Sequence, residues 1–257
     1  MDYLQQILSK YKARDLDSYS TSIAQLKNTL ISWASSCYLK IIDSGSRAKG
    51  TAISLASDVD YLVSLTSDCN ENSGGLKSIY ESLYNELGNI YSNVRKQNVS
   101  IRITLGNLNV DVTPARKQSG YTNDHWLYVS KLDTRKQTNI EKHIEDILFS
   151  ERTNEIKLIK VWRELNNLDF PSIYLEYLIK NNILKNYPTH ISRLGENTFH
   201  ILTEMGKQYD NPLNARIVDP ANSNNILSDL LSQNEKEKIM NTAKTASQQT
   251  NWNQILW

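Results

Sequence analysis

Gly45, Ser46, Asp58, Asp60 and Asp111 have the residue types and order of a phosphate-handling site. Asp58 and Asp60 open a strand-like run at 59–65. In extended backbone, residues i and i+2 point to the same side, so both carboxylates project from one face. Carboxylates held that close repel each other unless a cation lies between them. Hard divalent ions take oxygen ligands, and Mg²⁺ is usually held by one or two carboxylates together with substrate phosphates. Upstream, a turn runs from Gly45-Ser46 to Gly50-Thr51. Glycine lets backbone N–H groups approach an anion closely, and Ser46 adds a hydroxyl donor. Each feature alone is common in loops. In this order they describe a phosphate cradle beside a metal-binding carboxylate pair.

Asp111 is a third carboxylate, set in the strand-like run Leu108-Asn-Val-Asp-Val112. The partner strand is 99–105, with a hairpin turn at Gly106-Asn107. An acid flanked by valines normally faces solvent from a strand's polar side. Beside an Asp-x-Asp strand it can complete a two-metal site.

The elements that must position these groups read clearly in the first half. Strand-like residues 38–42 lead into the glycine turn. Helices are expected at 2–12 and 18–35, the second through Ile23, Leu26, Leu30 and Trp33 at helical spacing. Residues 67–75 read as a loop, 76–91 as an amphipathic helix and 126–129 as a further strand. The stretch 113–124 reads as a polar connector whose Arg116 and Lys117 are solvated or face a nucleotide. From 137 the strand signal gives way to helices at 137–148, 154–166, 172–185, 195–207 and 233–247. Ser232 and Glu235 have the capping-box pattern before the last of these.

Composition narrows the function classes. With 29 basic and 28 acidic residues the formal charge is +1, unlike a dedicated binder of long duplex nucleic acid. Cys37 and Cys69 have neither metal-ligand spacing nor the pattern of a disulfide framework. The 4 histidines are scattered, which speaks against a zinc site. No apolar run has the length of a membrane span and no N-terminal signal is evident, so a cytoplasmic protein that is not a membrane protein is expected.

The pattern Gly-Ser-x-x-x-Gly-Thr, then Asp-Val-Asp, then Val-Asp-Val resembles the DNA polymerase β-like nucleotidyltransferase superfamily. The resemblance spans most of residues 40–230. It implies that Asp58, Asp60 and Asp111 are catalytic and hold two Mg²⁺ or Mn²⁺ ions, with Gly45 and Ser46 on the triphosphate. The second half is similar to the oligoadenylate synthetase and bacterial CD-NTase branch, through Glu155-Ile-Lys-Leu-Ile-Lys-Val-Trp-Arg163 and Pro171-Ser-Ile-Tyr-Leu-Glu-Tyr-Leu178. In that branch a lysine near the Trp-like position and a polar residue opening the next helix hold the triphosphate; Lys160 and Ser172 match them. Read locally, Lys160 is a surface lysine of an amphipathic helix and Ser172 an N-cap, and both readings stay open. The segment 218–226 also resembles the branch; locally it is a Pro turn followed by an Asn helix cap.

The fold implied is α+β: a mixed-sheet nucleotidyltransferase palm with N-terminal helices and a C-terminal helical lobe, divided as 1–136 and 137–257. The activity implied is metal-dependent polymerisation of nucleoside triphosphates, ribo or deoxy and adenine-based. The product is a short linear or cyclic oligonucleotide that controls a separate effector, often membrane-bound, in antiphage defence. The chain looks short for this branch, which leaves cyclisation open. Two alternatives stand beside this reading. One is a nucleotidyltransferase acting on tRNA or protein, as in toxin–antitoxin pairs. The other is a catalytically inactive nucleotide-binding module, against which the intact carboxylate triad speaks.

Overall fold

The computed structural model describes residues 2–56, 58–70 and 72–257. The first half carries α1 (Tyr3–Lys10), α2 (Ser20–Ala34), β1 (Tyr38–Ser44), α3 (Gly45–Ala48), β2 (Val59–Leu65) and α4 (Gly75–Ile90). Next come β3 (Arg95–Lys96), β4 (Ile101–Leu105), β5 (Leu108–Lys117), β6 (His125–Val129) and β7 (Thr134–Thr138). The remainder holds α5 (Ile140–Leu148), α6 (Thr153–Leu165), α7 (Ser172–Leu178), α8 (Leu194–Met205), β8 (Val218–Asp219), β9 (Asn222–Ile226) and α9 (Gln233–Ser247). The architecture is the expected α+β one, a mixed sheet followed by helices.

Two compact units divide the chain. The sheet unit comprises Asp15–Ala48 and Asp58–Ile144. Its 7-stranded sheet runs β1-β2-β5-β4-β3, with β6 and β7 continuing from β5. Among the described residues, only β2 and β5 of this sheet pair in parallel; the other neighbours are antiparallel. Strand alternation explains why these residues form a sheet. Val59, Tyr61, Val63 and Leu65 of β2 face the core with Ile101, Ile103 and Leu105 of β4 and Val110 and Val112 of β5. Leu26, Leu30 and Ala34 of α2, and Ile79, Tyr80, Leu83 and Leu87 of α4, cover that face. Each such aliphatic side chain taken fully from water contributes about 1.5–3 kcal/mol. The opposite parity, which includes Asp60 and Asp111, is thereby turned to the other face of the sheet.

β5 runs unbroken to Lys117, so the first part of the expected polar connector is strand. Pro114 lies in register with Val63 across the parallel ladder but beyond the last β4 pair, Ile101↔Val112, where no ladder partner on that side asks for its missing N–H. The turn at Gly106-Asn107 forms as expected, with Gly106 at φ 61°, a left-handed value that favours glycine. The cysteines correct the sequence reading. Cys37 and Cys69 form a disulfide with Cα atoms 5.5 Å apart. The antiparallel register Tyr38↔Leu65 brings the start of β1 to the end of β2, which a separation of 32 residues conceals.

The helical unit comprises Met1–Arg14, Lys49–Ser57 and Glu145–Trp257. Its core gathers Leu4 and Ile7 of α1, Ile159 and Trp162 of α6, Tyr174 and Leu178 of α7, Ile201 and Met205 of α8, and Ile239 and Ala243 of α9. The capping box at α9 is present, with the Ser232 side chain accepting from the Glu235 backbone N–H and Glu235 accepting from the Ser232 N–H. The helix expected at 172–185 is α7 followed by a π turn, Ile179–Ile183. The segment 218–226 turns at Pro220-Ala221 as expected, but the Asn-rich run after it is the second strand of a β-hairpin rather than a helix cap. Buried Asp219 accepts hydrogen bonds from the Ala221 N–H at 2.9 Å and Asn225 Nδ2 at 2.7 Å, which closes the hairpin tightly. Among the described residues, no helix is long and apolar enough to cross a membrane.

Candidate active site

Strand register places the acidic residues. Asp60 on β2 lies opposite Asp111 on β5, and Asp111 lies opposite Arg102 on β4. Ser44 on β1 pairs with Asp60 on the other side. Ser44, Asp60, Asp111 and Arg102 thus form one row across four strands, with neighbouring strands about 4.8 Å apart. Asp58, two residues before Asp60, belongs to the same edge of that row.

Side-chain contacts tighten the group. Arg102 donates through Nε to Asp111 Oδ1 at 2.9 Å and through Nη2 to Asp111 Oδ2 at 2.7 Å, a bidentate fork. The same Nη2 donates to Asp58 Oδ2 at 2.7 Å. Asn109 Nδ2 donates to the other Asp58 oxygen at 3.3 Å. The hydrogen bond to Asp111, with the charges of Asp111, Asp58 and Asp60, pushes the already high pKa of Arg102 further up against its partial burial. The cluster is open: the side chains of Arg102, Asp58 and Asp111 are 30%, 40% and 14% exposed.

Gly45 joins the two halves of the motif. It has φ 66°, and a Cβ built on it would lie 1.8 Å from Asp60 Oδ2. Only glycine lets the Asp60 carboxylate rest against the first residue of α3. Ser46 follows within the same short helix, half-buried. The sequence-predicted Gly45, Ser46, Asp58, Asp60 and Asp111 all lie in the sheet unit; the structure gathers Gly45 and the three aspartates around one row across the sheet, with Ser46 next to Gly45 in the chain.

Among the described residues, no three His, Cys, Asp or Glu side chains stand as a ready metal cage. The donors nonetheless suit a hard divalent ion, being all carboxylate oxygen. A guanidinium already stands in as the cation between Asp58 and Asp111. The cradle at Gly45, which a Cβ would fill, leaves Asp60 room.

Lys160 and Ser172 belong to the helical unit. Lys160 is 2% exposed, so the surface-lysine reading does not hold. Its Nζ donates to Thr51 Oγ1 and Glu176 Oε1, both at 2.8 Å. Thr51 also donates to Glu176 Oε1, at 3.0 Å, and Lys49 Nζ donates to Glu176 Oε2, at 2.5 Å. Burial pushes the Glu176 carboxyl up, but Lys49 and Lys160 together outweigh it and hold the group at about 2. Burial pushes Lys160 down to about 8 against the pull of Glu176. One carboxylate serves two ammonium groups, so Glu176 is firmly ionised and Lys160 is incompletely compensated. Ser172 is the first residue of α7 rather than its N-cap, which is Pro171; its hydroxyl accepts from Arg163 Nη1 at 3.1 Å.

Sequence reasoning missed Arg102, Lys49 and Glu176. A signal for Arg102 was available. A two-residue turn at Gly106-Asn107 sets Leu105 opposite Leu108, and counting back along both strands sets Arg102 opposite Asp111. Lys49 and Glu176 meet only through the tertiary fold.

No protein-family model matches the chain, and no curated protein does. Solved structures do. The chain is similar to the Bradyrhizobium diazoefficiens CD-NTase CdnG in complex with GTP, with TM-score 0.75, 13% identity, and 96% of this chain and 90% of that one covered. It is similar to the Elizabethkingia meningoseptica CdnE cyclic dinucleotide synthase with GTP and Apcpp, with TM-score 0.67, 14% identity and 100% of both chains covered. It also resembles the Cid1 poly(U) polymerase bound to MgATP, with TM-score 0.64, 13% identity, and 95% and 92% covered. At these identities the likeness establishes the fold, one shared with CD-NTases and with a poly(U) polymerase. The chain covers 88–100% of the CdnC, CdnG and Elizabethkingia CdnE structures, but 81% of a Capnocytophaga granulosa CdnE and 65% of Escherichia coli DncV, so it is short against some structures of this fold and not against others.

Proposed function

We propose that this chain is a nucleotidyltransferase that joins nucleoside triphosphates into a short linear or cyclic oligonucleotide and releases pyrophosphate. The observation that carries the proposal is the register-matched row of Asp60 and Asp111, with Asp58 at its edge and Gly45 against Asp60. Asp58, Asp60 and Asp111 would hold two Mg²⁺ or Mn²⁺ ions. Such ions, when bound, lower the pKa of an attacking hydroxyl and neutralise the charge on the departing phosphates. Asp111 orients the acceptor hydroxyl and takes its proton. Backbone N–H groups at Gly45 and the Ser46 hydroxyl hold the donor phosphates. The oxygen of the acceptor hydroxyl forms its bond to the α-phosphorus as the bond to pyrophosphate breaks.

A triphosphate role for Lys160 and Ser172 rests on the resemblance alone and is read by calorimetry of nucleotide binding to Lys160→Ala. An adenine-based product, a separate effector protein, antiphage defence and a cytoplasmic setting belong to the proposal on the same footing. A second reading, extension of an RNA or other macromolecule, is favoured by the likeness to a poly(U) polymerase. Incubation with each NTP and dNTP, with and without added RNA, separates the two by mass spectrometry. Free oligonucleotide or protein-attached nucleotide without RNA supports self-contained synthesis. Turnover only when RNA is supplied supports the second reading.

A further inference from the structure

We infer that Arg102 is a built-in counter-ion that competes with divalent metal for Asp58 and Asp111 and keeps metal loading low until a nucleoside triphosphate arrives. The inference rests on the proposed metal role of the aspartates. Arg102 engages both oxygens of Asp111 and one of Asp58, at 2.7–2.9 Å. Its Nη2 is shared between the two carboxylates, so this one cation spans them. Strand register holds its Cα opposite that of Asp111, while the long side chain keeps the freedom to swing away.

The fork occupies the oxygens a metal ion would need. A divalent ion bound at about 2.1 Å from those oxygens would sit within a few ångströms of the guanidinium. Like charges so close repel strongly, and the open setting reduces the repulsion without removing it. Metal alone must therefore displace Arg102 unaided. A triphosphate changes the balance, because its own oxygens both ligate the ion and offer the freed guanidinium a new anionic partner. Arg102 thereby makes metal and nucleotide binding mutually dependent, and holds the carboxylates together in the meantime. It is a positioning residue, and its action is visible without turnover.

The test is Mn²⁺ binding to the nucleotide-free full chain, followed by electron paramagnetic resonance of free Mn²⁺. Wild type, Arg102→Gln, Arg102→Lys and the double variant Asp58→Ala with Asp60→Ala are compared. Arg102→Gln is expected to bind Mn²⁺ roughly tenfold or more tightly than wild type, since one close positive charge is gone. Arg102→Lys, which keeps that charge, is expected to stay near wild type, and the double aspartate variant to lose binding. Unchanged or weaker binding by Arg102→Gln, with binding lost in the aspartate variant, overturns the counter-ion role and leaves the metal site standing. Undiminished binding by the aspartate variant overturns the metal site itself. If Arg102→Gln does not fold, nitrogen-15 NMR of the wild-type Arg102 Nε–H decides. Its protection from exchange should persist with Mg²⁺ alone and disappear with Mg²⁺ plus a non-hydrolysable triphosphate. Protection unaltered by the pair overturns the inference.

Discussion

Two charged clusters, one in each unit, are built on opposite terms. In the sheet unit Asp58 and Asp111 share the guanidinium of Arg102, two carboxylates on one cation, and the three side chains are part-exposed. In the helical unit Lys49 and Lys160 share the single carboxylate of Glu176, positive charge is in excess, and the Glu176 side chain has 0% exposure. An open cluster can exchange its cation for another at modest cost, because water screens what is left unpaired. A sealed cluster cannot, because removing one partner strands the others in a medium that does not solvate them. The first arrangement suits chemistry on phosphates; the second suits holding α6, α7 and the Lys49–Thr51 segment together.

The sharpest way to break this contrast is Glu176→Gln. It leaves two buried ammonium groups without their carboxylate and should lower stability by about 3–5 kcal/mol in chemical denaturation. A loss under about 1 kcal/mol would mean the cluster is solvated after all. The same carboxylate gives an acid signature. Its folded pKa of about 2 lies below the ordinary 4.5, so its contribution is fully present above pH 4.5 and is lost as pH falls toward 2. The linkage amounts to about 3 kcal/mol over that window, and Glu176→Gln should abolish that part of the acid dependence.

Cys37→Ser should cost less, roughly 2–4 kcal/mol, by opening the loop that the disulfide closes. Wild type with and without reductant gives the companion measurement, and an unchanged denaturation midpoint would count against the crosslink. Gly45→Ala sharpens the open side of the contrast. Its Cβ would collide with Asp60 Oδ2 and its φ is left-handed, so about 1–3 kcal/mol of stability should go. Nucleotide incorporation should fall far more than that loss of stability explains. Wild-type turnover in Gly45→Ala would detach the glycine from the site.

The smallest effect concerns His125, which is 2% exposed on β6. Its Nδ1–H donates to the Asn123 carbonyl and its Nε2 accepts from Ser64 Oγ, both at 2.8 Å, an arrangement that suits the neutral ring. Burial pushes its pKa below the ordinary 6.5. The stability it contributes is present above pH 6.5 and lost as pH falls through the lowered value. The slope of stability against pH just below 6.5 should flatten in His125→Gln, and an unaltered slope would remove His125 from the account.

The sheet unit was legible because its information is local. Alternation at 59–65 and 101–112, together with one glycine turn, determines which face each aspartate occupies. Arg102 was within reach of the same counting, since the turn sets it opposite Asp111. The reading stopped at the acids because an arginine between two isoleucines looks like an ordinary solvent-facing strand residue. The sealed cluster was not legible. Lys160 has a helical pattern compatible with a surface position, and Lys49 and Glu176 are 127 residues apart. The disulfide and the β8–β9 hairpin were hidden for related reasons. The first depends on strand register, the second on a buried Asp219 that organises an Asn-rich run otherwise poor in strand formers.

The central claim is that the open carboxylate row does nucleotidyl transfer. Its most direct test is incubation of purified wild type and the Asp58→Ala, Asp60→Ala double variant with each NTP and dNTP plus Mg²⁺ or Mn²⁺, products resolved by mass spectrometry. Wild type should give oligonucleotide and pyrophosphate without added RNA. The variant should give none while keeping its thermal midpoint, because Arg102 retains its fork on Asp111. Product from the folded variant at the wild-type rate, or none from wild type with any nucleotide, would contradict the account.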